Sequence, residues 1–349
     1  MVKETKMIEL INDELVFTFP KVHPEAKFSI SFQRTLRIPD DGLDYPLPPG
    51  LGEFPMKHVD DYADKIPSLW IEHGGVMIPM YQSEAMWLSF DSGYLNEHET
   101  EYPFAIKIAT GKINAVTGGE WSNSLNEKPQ DYLVAPEQPW LDGYCVEKGF
   151  IRQFVAMPLG SGYSAEEQIT GKQEHGGMQI MVFPMKKEIF EKRFPKIERK
   201  RVDEDVCYMQ AAPCESAAPD MGLAPGGRMR QEIYDDPFDF NDWDTENMSR
   251  SFVHISNSLV WRAITDELPP NVPLTAKEYD RYGLPWFDYY DENAVAVEGS
   301  QRLDKLKSII QMGKEKGENP LPENTSVSAK NIVELKSKLK KDQVREGSF

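Results

Sequence analysis

Apolar and polar positions along the first 185 residues follow the period of strands. Leu15, Phe17 and Phe19 alternate, as do Phe28, Ile30 and Phe32 ahead of Leu36, and Pro20-Lys21-Val22-His23-Pro24 between them is turn-forming, which predicts an antiparallel hairpin. Residues 41–67, with Pro46, Pro48, Pro49 and Gly50, read as a long ordered loop. Strands resume over 75–90, and a second hairpin is expected where residues 104–108 and 113–116 flank Thr110-Gly111-Lys112. Residues 150–159 and 177–185 are apolar on both faces, Ile151, Val155 and Met157 in one and Met178, Ile180 and Val182 in the other, as expected of strands inside a sheet.

After Pro184 the pattern changes. Residues 186–201 hold eight Lys or Arg against three Glu and read as a solvated helix, and residues 201–230, rich in Ala, Pro and Gly, read as a connector. Three helical stripes follow: Phe252, Ile255, Leu259, Val260, Ala263 and Ile264; Leu303, Leu306, Ile309 and Ile310; and Ile332, Val333, Leu335 and Leu339 after a Ser328 cap. The expected architecture is α+β. An antiparallel, jelly-roll-like β-sandwich spans 1–200, the connector 201–230, a helical region packing on the body 231–312, and a basic tail with a terminal helix 313–349.

Charge refines this picture. The chain has 349 residues and a net charge of −18, which disfavours nucleic acid or an anionic membrane as partner. Residues 301–349 carry 11 basic and 7 acidic groups, so the tail is +4 and the remainder −22. A basic arm on an acidic body fits docking on a second copy, and a homo-oligomer is the expected partner. No stretch approaches the roughly 18–20 apolar residues of a membrane span and the N-terminus lacks a signal-like apolar core, so a cytoplasmic location is expected. Cys145, Cys207 and Cys214 have no disulfide or metal spacing and are expected to be reduced thiols.

Candidate chemistry begins with a repeat. Glu72-His73-Gly74-Gly75 and Glu174-His175-Gly176-Gly177 each open an apolar run. One reading is two similar turn-and-strand units. The other makes Glu72, His73, Glu174 and His175 a site for a divalent ion such as zinc, although neighbours in an extended strand face opposite ways and only the Gly-Gly turn could bring Glu and His together. Gly222 to Arg230 offers glycine amides with Arg228 and Arg230 as an anion cradle, or a loop whose arginines pair with surface acids. Trp140 with Asp142, and Trp286 with Asp288, set rings beside carboxylates as sugar sites do and as ordinary packing also does. Dinucleotide, P-loop, zincin and Cys-x-x-Cys motifs are absent from the sequence.

The blocks at 129–143, 150–160, 221–234 and 283–290, among them Pro139-Trp140-Leu141-Asp142-Gly143 and Gly283-Leu284-Pro285-Trp286-Phe287-Asp288, resemble a family of bacterial hypothetical proteins of about 350 residues. The resemblance runs from the N-terminal strands to the tail and implies no activity or catalytic residue. Two functional expectations stand. The first is a non-enzymatic self-assembling or small-molecule-binding protein whose tail docks on an acidic surface. The second is a hydrolase for a carbohydrate or other small polar substrate, with His73 and His175 at a metal or acid–base site.

Overall fold

The computed structural model describes residues 8–196, 220–290, 294–318 and 324–336. Two large sheets form its framework. In the first, β1 (Ile8–Ile11), β2 (Glu14–Thr18), β3 (Lys27–Thr35), β8 (Ala85–Asp91), β16 (Phe150–Pro158), β18 (Met221–Arg230) and β4 (Asp44–Tyr45) lie in that order, and β5 (Gly50–Glu53), β14 (Trp140–Leu141) and β15 (Gly143–Glu147) pair with β3, β8 and β16 respectively. The second runs β12 (Ile113–Asn114), β11 (Phe104–Thr110), β17 (Met178–Pro184), β19 (Ser249–Asn257), β7 (Val76–Met80) and β6 (Lys57–His58), with β13 (Leu133–Ala135) beside β11. Two further pairs are β9 (Tyr94–Leu95) with β10 (Thr100–Glu101), and β20 (Trp286–Tyr290) with β21 (Ile332–Lys336). Among the described residues, seven short α-helices, α1 (Ser68–His73), α2 (Ala165–Thr170), α3 (Lys187–Arg193), α4 (Ser258–Thr265), α5 (Ala276–Arg281), α6 (Gln301–Asp304) and α7 (Ile309–Glu315), accompany the strands of a mostly β protein.

One hydrophobic core is common to both sheets. Phe28 of β3 meets Phe104 of β11 at 5.2 Å between ring centroids, and Ile30, Phe32, Leu88 and Phe154 join Ile106, Ile180, Val182 and Ile255 in the same cluster. Each such fully buried side chain contributes about 1.5–3 kcal/mol. Alternation pairs Leu15 with Ile30 and Phe17 with Phe28 in the expected hairpin, and Thr110 with Ile113 in the second. The two doubly apolar runs are interior strands: β16 sits between β8 and β18, and β17, buried along its whole length, between β11 and β19.

Several expectations after residue 185 are corrected. The connector 201–230 ends in a ten-residue strand, β18, on which Gly227 is a packing glycine: a Cβ there would lie 2.7 Å from the carbonyls of Ile38 and Pro39. The first helical stripe is strand then helix. Phe252 and Ile255 belong to β19, Asn257 caps α4 by accepting the Leu259 amide, and Leu259 is 80% exposed. The second stripe breaks into α6 and α7 because Ser308 forms a capping box with Gln311. The tail's Ile332, Val333 and Leu335 form β21, a strand parallel to β20, where β-branched residues fit an open sheet edge. The loop 41–67 also holds the short strands β4, β5 and β6. Leu339 with the lysine-rich residues 337–349, and Cys207 and Cys214, lie outside the described residues.

Candidate functional site on strand β19

Strand β19 receives a neighbour on each side at one level. Val76 of β7 and Met178 of β17 both stand opposite Val253, β7 running parallel to β19 and β17 antiparallel. The two Glu-His-Gly-Gly segments therefore converge on the middle of β19 from its two sides. Their second glycines are required there. Gly75 and Gly177 have φ of 91° and 48°, and a Cβ would fall 2.2 Å from the Phe252 carbonyl oxygen in the first and 2.4 Å from that of Val253 in the second.

The histidines meet over Phe252 and His254, which share one face of β19. His73 stacks on Phe252 at 4.4 Å and on His254 at 6.0 Å, and the His73 and His175 ring centroids are 6.0 Å apart. Trp70 and His73, three residues apart in α1, lie on one side of that helix. Trp70 stacks on the other neighbour, His254, at 4.8 Å. Helix α1 is held by a small second core in which Trp70 packs with Val59, Tyr62, Met77, Trp261 and Ile264.

Two carboxyls complete the cluster. Asp220, bridged to Ser256 just ahead of β18, accepts the Trp70 Nε1–H at 3.0 Å, and its Oδ1 is buried without a protein partner. Burial lifts its carboxyl to about 7 against the lowering effect of the Trp70 bond. Glu166, placed by the Ser164–Glu167 capping box of α2, accepts the amides of His175 and Gly176. Burial raises Glu166 as well, opposed by those backbone bonds. The imidazoles move the other way. Burial, then Lys112, lowers His73 and His175, and burial takes His254 to about 4. His254 Nε2 lies 3.1 Å from the Gly74 carbonyl, while His73 Nδ1 and His175 Nδ1 are buried without a partner. The arrangement presents two rings with unpartnered nitrogens over one face of β19, and a buried carboxyl, Asp220, that desolvation has raised, behind Trp70.

The metal set proposed from the repeat is only half assembled. His73 and His175 come together, but Glu72 is exposed and Glu174 is spent on Lys172 at 3.1 Å, its other oxygen 3.8 Å from His175 Nε2. Among the described residues, the donor set whose three ligand atoms lie within 4.8 Å of one another is His23, Glu25 and His98. Sequence reading missed Trp70, Glu166, Asp220 and His254. Only His254 had a signal, its Phe-x-His alternation within an apolar run.

The other candidates gather across the first sheet. Arg228 is held by Asp44 at 2.8 Å and Glu147 at 2.5 Å, and Arg230 faces Asp288 at 3.6 Å, so the anion cradle is a set of ion pairs on a strand. Trp140 and Asp142 line a cavity of about 210 Å³ with Trp87, Phe287 and Leu335, and Gln231 donates to Asp142, which burial lifts to about 7. Trp286 is fully buried against Tyr45 and Tyr279 and offers no platform. A roomier cavity of about 600 Å³ lies apart from the histidines, and its Asp236 already accepts from Tyr132 and Trp243. No helix among the described residues is long and apolar enough to cross a membrane. Comparison with protein-family models, with curated proteins and with solved structures finds no match.

Proposed function

We propose that the cluster over the middle of β19 is an acid–base site acting on a small polar substrate, and that the two sheets form a jelly-roll-like sandwich carrying it. The observation that carries this reading is the convergence of both Glu-His-Gly-Gly segments, with two unpaired imidazole nitrogens and an unpaired Asp220 oxygen. A neutral His73 or His175 would take the proton of an attacking water, and protonated Asp220 would donate to the departing oxygen, the division of labour expected of imidazoles that burial keeps neutral and a carboxyl that burial keeps protonated longer. Hydrolysis is the reaction class that this pair serves most simply. Assembly through the basic tail has less support, because residues 332–336 pair with β20 of the same chain.

The test is turnover of chromogenic esters, phosphate esters and glycosides by the purified chain. One class should be hydrolysed at a rate that falls at least about 100-fold in His73→Gln/His175→Gln and in Asp220→Asn. No turnover in any class, or turnover indifferent to all three replacements, would remove the reading.

A further inference from the structure

Five of the six histidines fall into two clusters, and the second has the makings of a metal centre. His23 and Glu25 sit in the turn between β2 and β3, and His98 in the turn between β9 and β10, with Phe190 and Phe194 of the α3 segment against them. Their ligand atoms all lie within 4.8 Å of one another. Both histidines are buried, at 3% and 5% exposure. His98 Nε2 and Glu25 Oε2 are buried with no protein hydrogen-bond partner, a costly state for a ring nitrogen and a carboxylate oxygen unless something binds them.

The hydrogen bonding around His98 sets its ligand atom. Its Nδ1 lies 2.5 Å from the Phe194 carbonyl, which can only accept, so the ring proton is on Nδ1 and the lone pair is left on the buried, unpartnered Nε2. An outer carbonyl fixing the tautomer of a ligating histidine is a recurrent feature of zinc sites. His23 is the ligand that must adapt. Its Nδ1 accepts the Glu25 amide at 3.2 Å, so an ion either displaces that amide or forces the ring proton from Nε2 to Nδ1.

We infer that His23, Glu25 and His98 form a divalent first-row metal site of the zinc type that clamps the β2–β3 turn to the β9–β10 turn beside the end of α3. Two imidazoles and one carboxylate match the donor preference of zinc, with a fourth position open to water. The inference is independent of the acid–base reading, since no residue is common to the two clusters.

The test uses the full chain, stripped with chelator, dialysed and titrated with Zn²⁺, with stoichiometry read by native mass spectrometry and affinity by competition with a chromogenic chelator. One equivalent should bind, and the melting temperature should rise with it. His98→Gln and Glu25→Gln should each weaken binding by at least about 100-fold for the ligand removed, while His73→Gln/His175→Gln binds as the parent does. Glu25→Gln, at a partly exposed turn, serves where His98→Gln fails to fold. The inference is overturned if the folded parent binds no Zn²⁺, if Glu25→Gln binds as tightly as the parent, or if only the His73/His175 replacement removes the ion.

Discussion

Asp220→Asn should make the protein less sensitive to alkaline pH. Burial lifts the Asp220 carboxyl from an ordinary 3.8 to about 7. A carboxyl whose folded value exceeds its unfolded one has no effect on stability below the unfolded value. Between 3.8 and about 7 the folded chain keeps a proton that the unfolded chain has released, so stability falls as pH rises and levels off above 7. That interval corresponds to about 4 kcal/mol at about 1.36 kcal/mol per pH unit, an upper figure for a carboxyl that relaxes or draws in water. Asparagine carries no such charge and still accepts the Trp70 Nε1–H. With an unfolding entropy of about 2.1 cal/mol/K per residue, the replacement should raise the melting temperature at pH 8 by up to about 5 °C and leave it nearly unchanged at pH 4. Differential scanning calorimetry at the two pH values reads this directly. A variant destabilised equally at both would refute the assignment of Asp220 as a buried, proton-holding acid. Asp142, lifted to about 7 by its own burial, should keep part of the alkaline loss in place.

Three other outcomes follow from particular contacts. Gly177→Ala puts a Cβ 2.4 Å from the Val253 carbonyl oxygen at φ +48°, so urea denaturation should show backbone strain plus about 1–3 kcal/mol of overpacking, whereas Gly74→Ala, with open space around it at φ 63° and ψ −158°, should lose only the strain of a backbone region reserved to glycine, about 1–3 kcal/mol. Lys107 is fully buried and donates to Asp131, Ser122 and Ser124. Lys107→Met strands the Asp131 carboxylate, and chemical denaturation should show about 3–5 kcal/mol lost, with a much smaller loss in the Lys107→Met/Asp131→Asn double variant. Burial pushes the Cys145 thiol up to about 12. Peptide mapping after alkylation at pH 8 should find Cys145 unmodified in the native protein and modified in urea.

The strands of the body were legible because alternation and burial agree. Phe17 against Phe28 and Ile180 within β17 follow from period-two patterning with turn residues between. The C-terminal half misled for an equally physical reason. Phe252 and Ile255 are three apart, a spacing that fits one face of a helix, yet His254 and Ser256 are also buried in an interior strand, so both faces are covered and periodicity loses its meaning. Short apolar runs such as Ile332-Val333 take whichever state a free sheet edge offers. The repeat pointed to the site because Gly-Gly is needed wherever a turn presses on a neighbouring backbone. Its glutamates misled, since residues beside the histidines at a chain turn face solvent. Trp70, Glu166 and Asp220 arrive from α1, α2 and the start of β18, and no local pattern links segments so far apart in sequence.

The most direct test of the site is the titration of its imidazoles, followed by NMR in protein labelled at histidine. His73 and His175 should titrate below the usual 6.5, His254 at about 4, and His175 should move upward in His73→Gln, because the neighbouring ring is one of the charges that lower it. A His175 that titrates at its ordinary value and ignores the loss of His73 would contradict the convergence on which the proposed function rests.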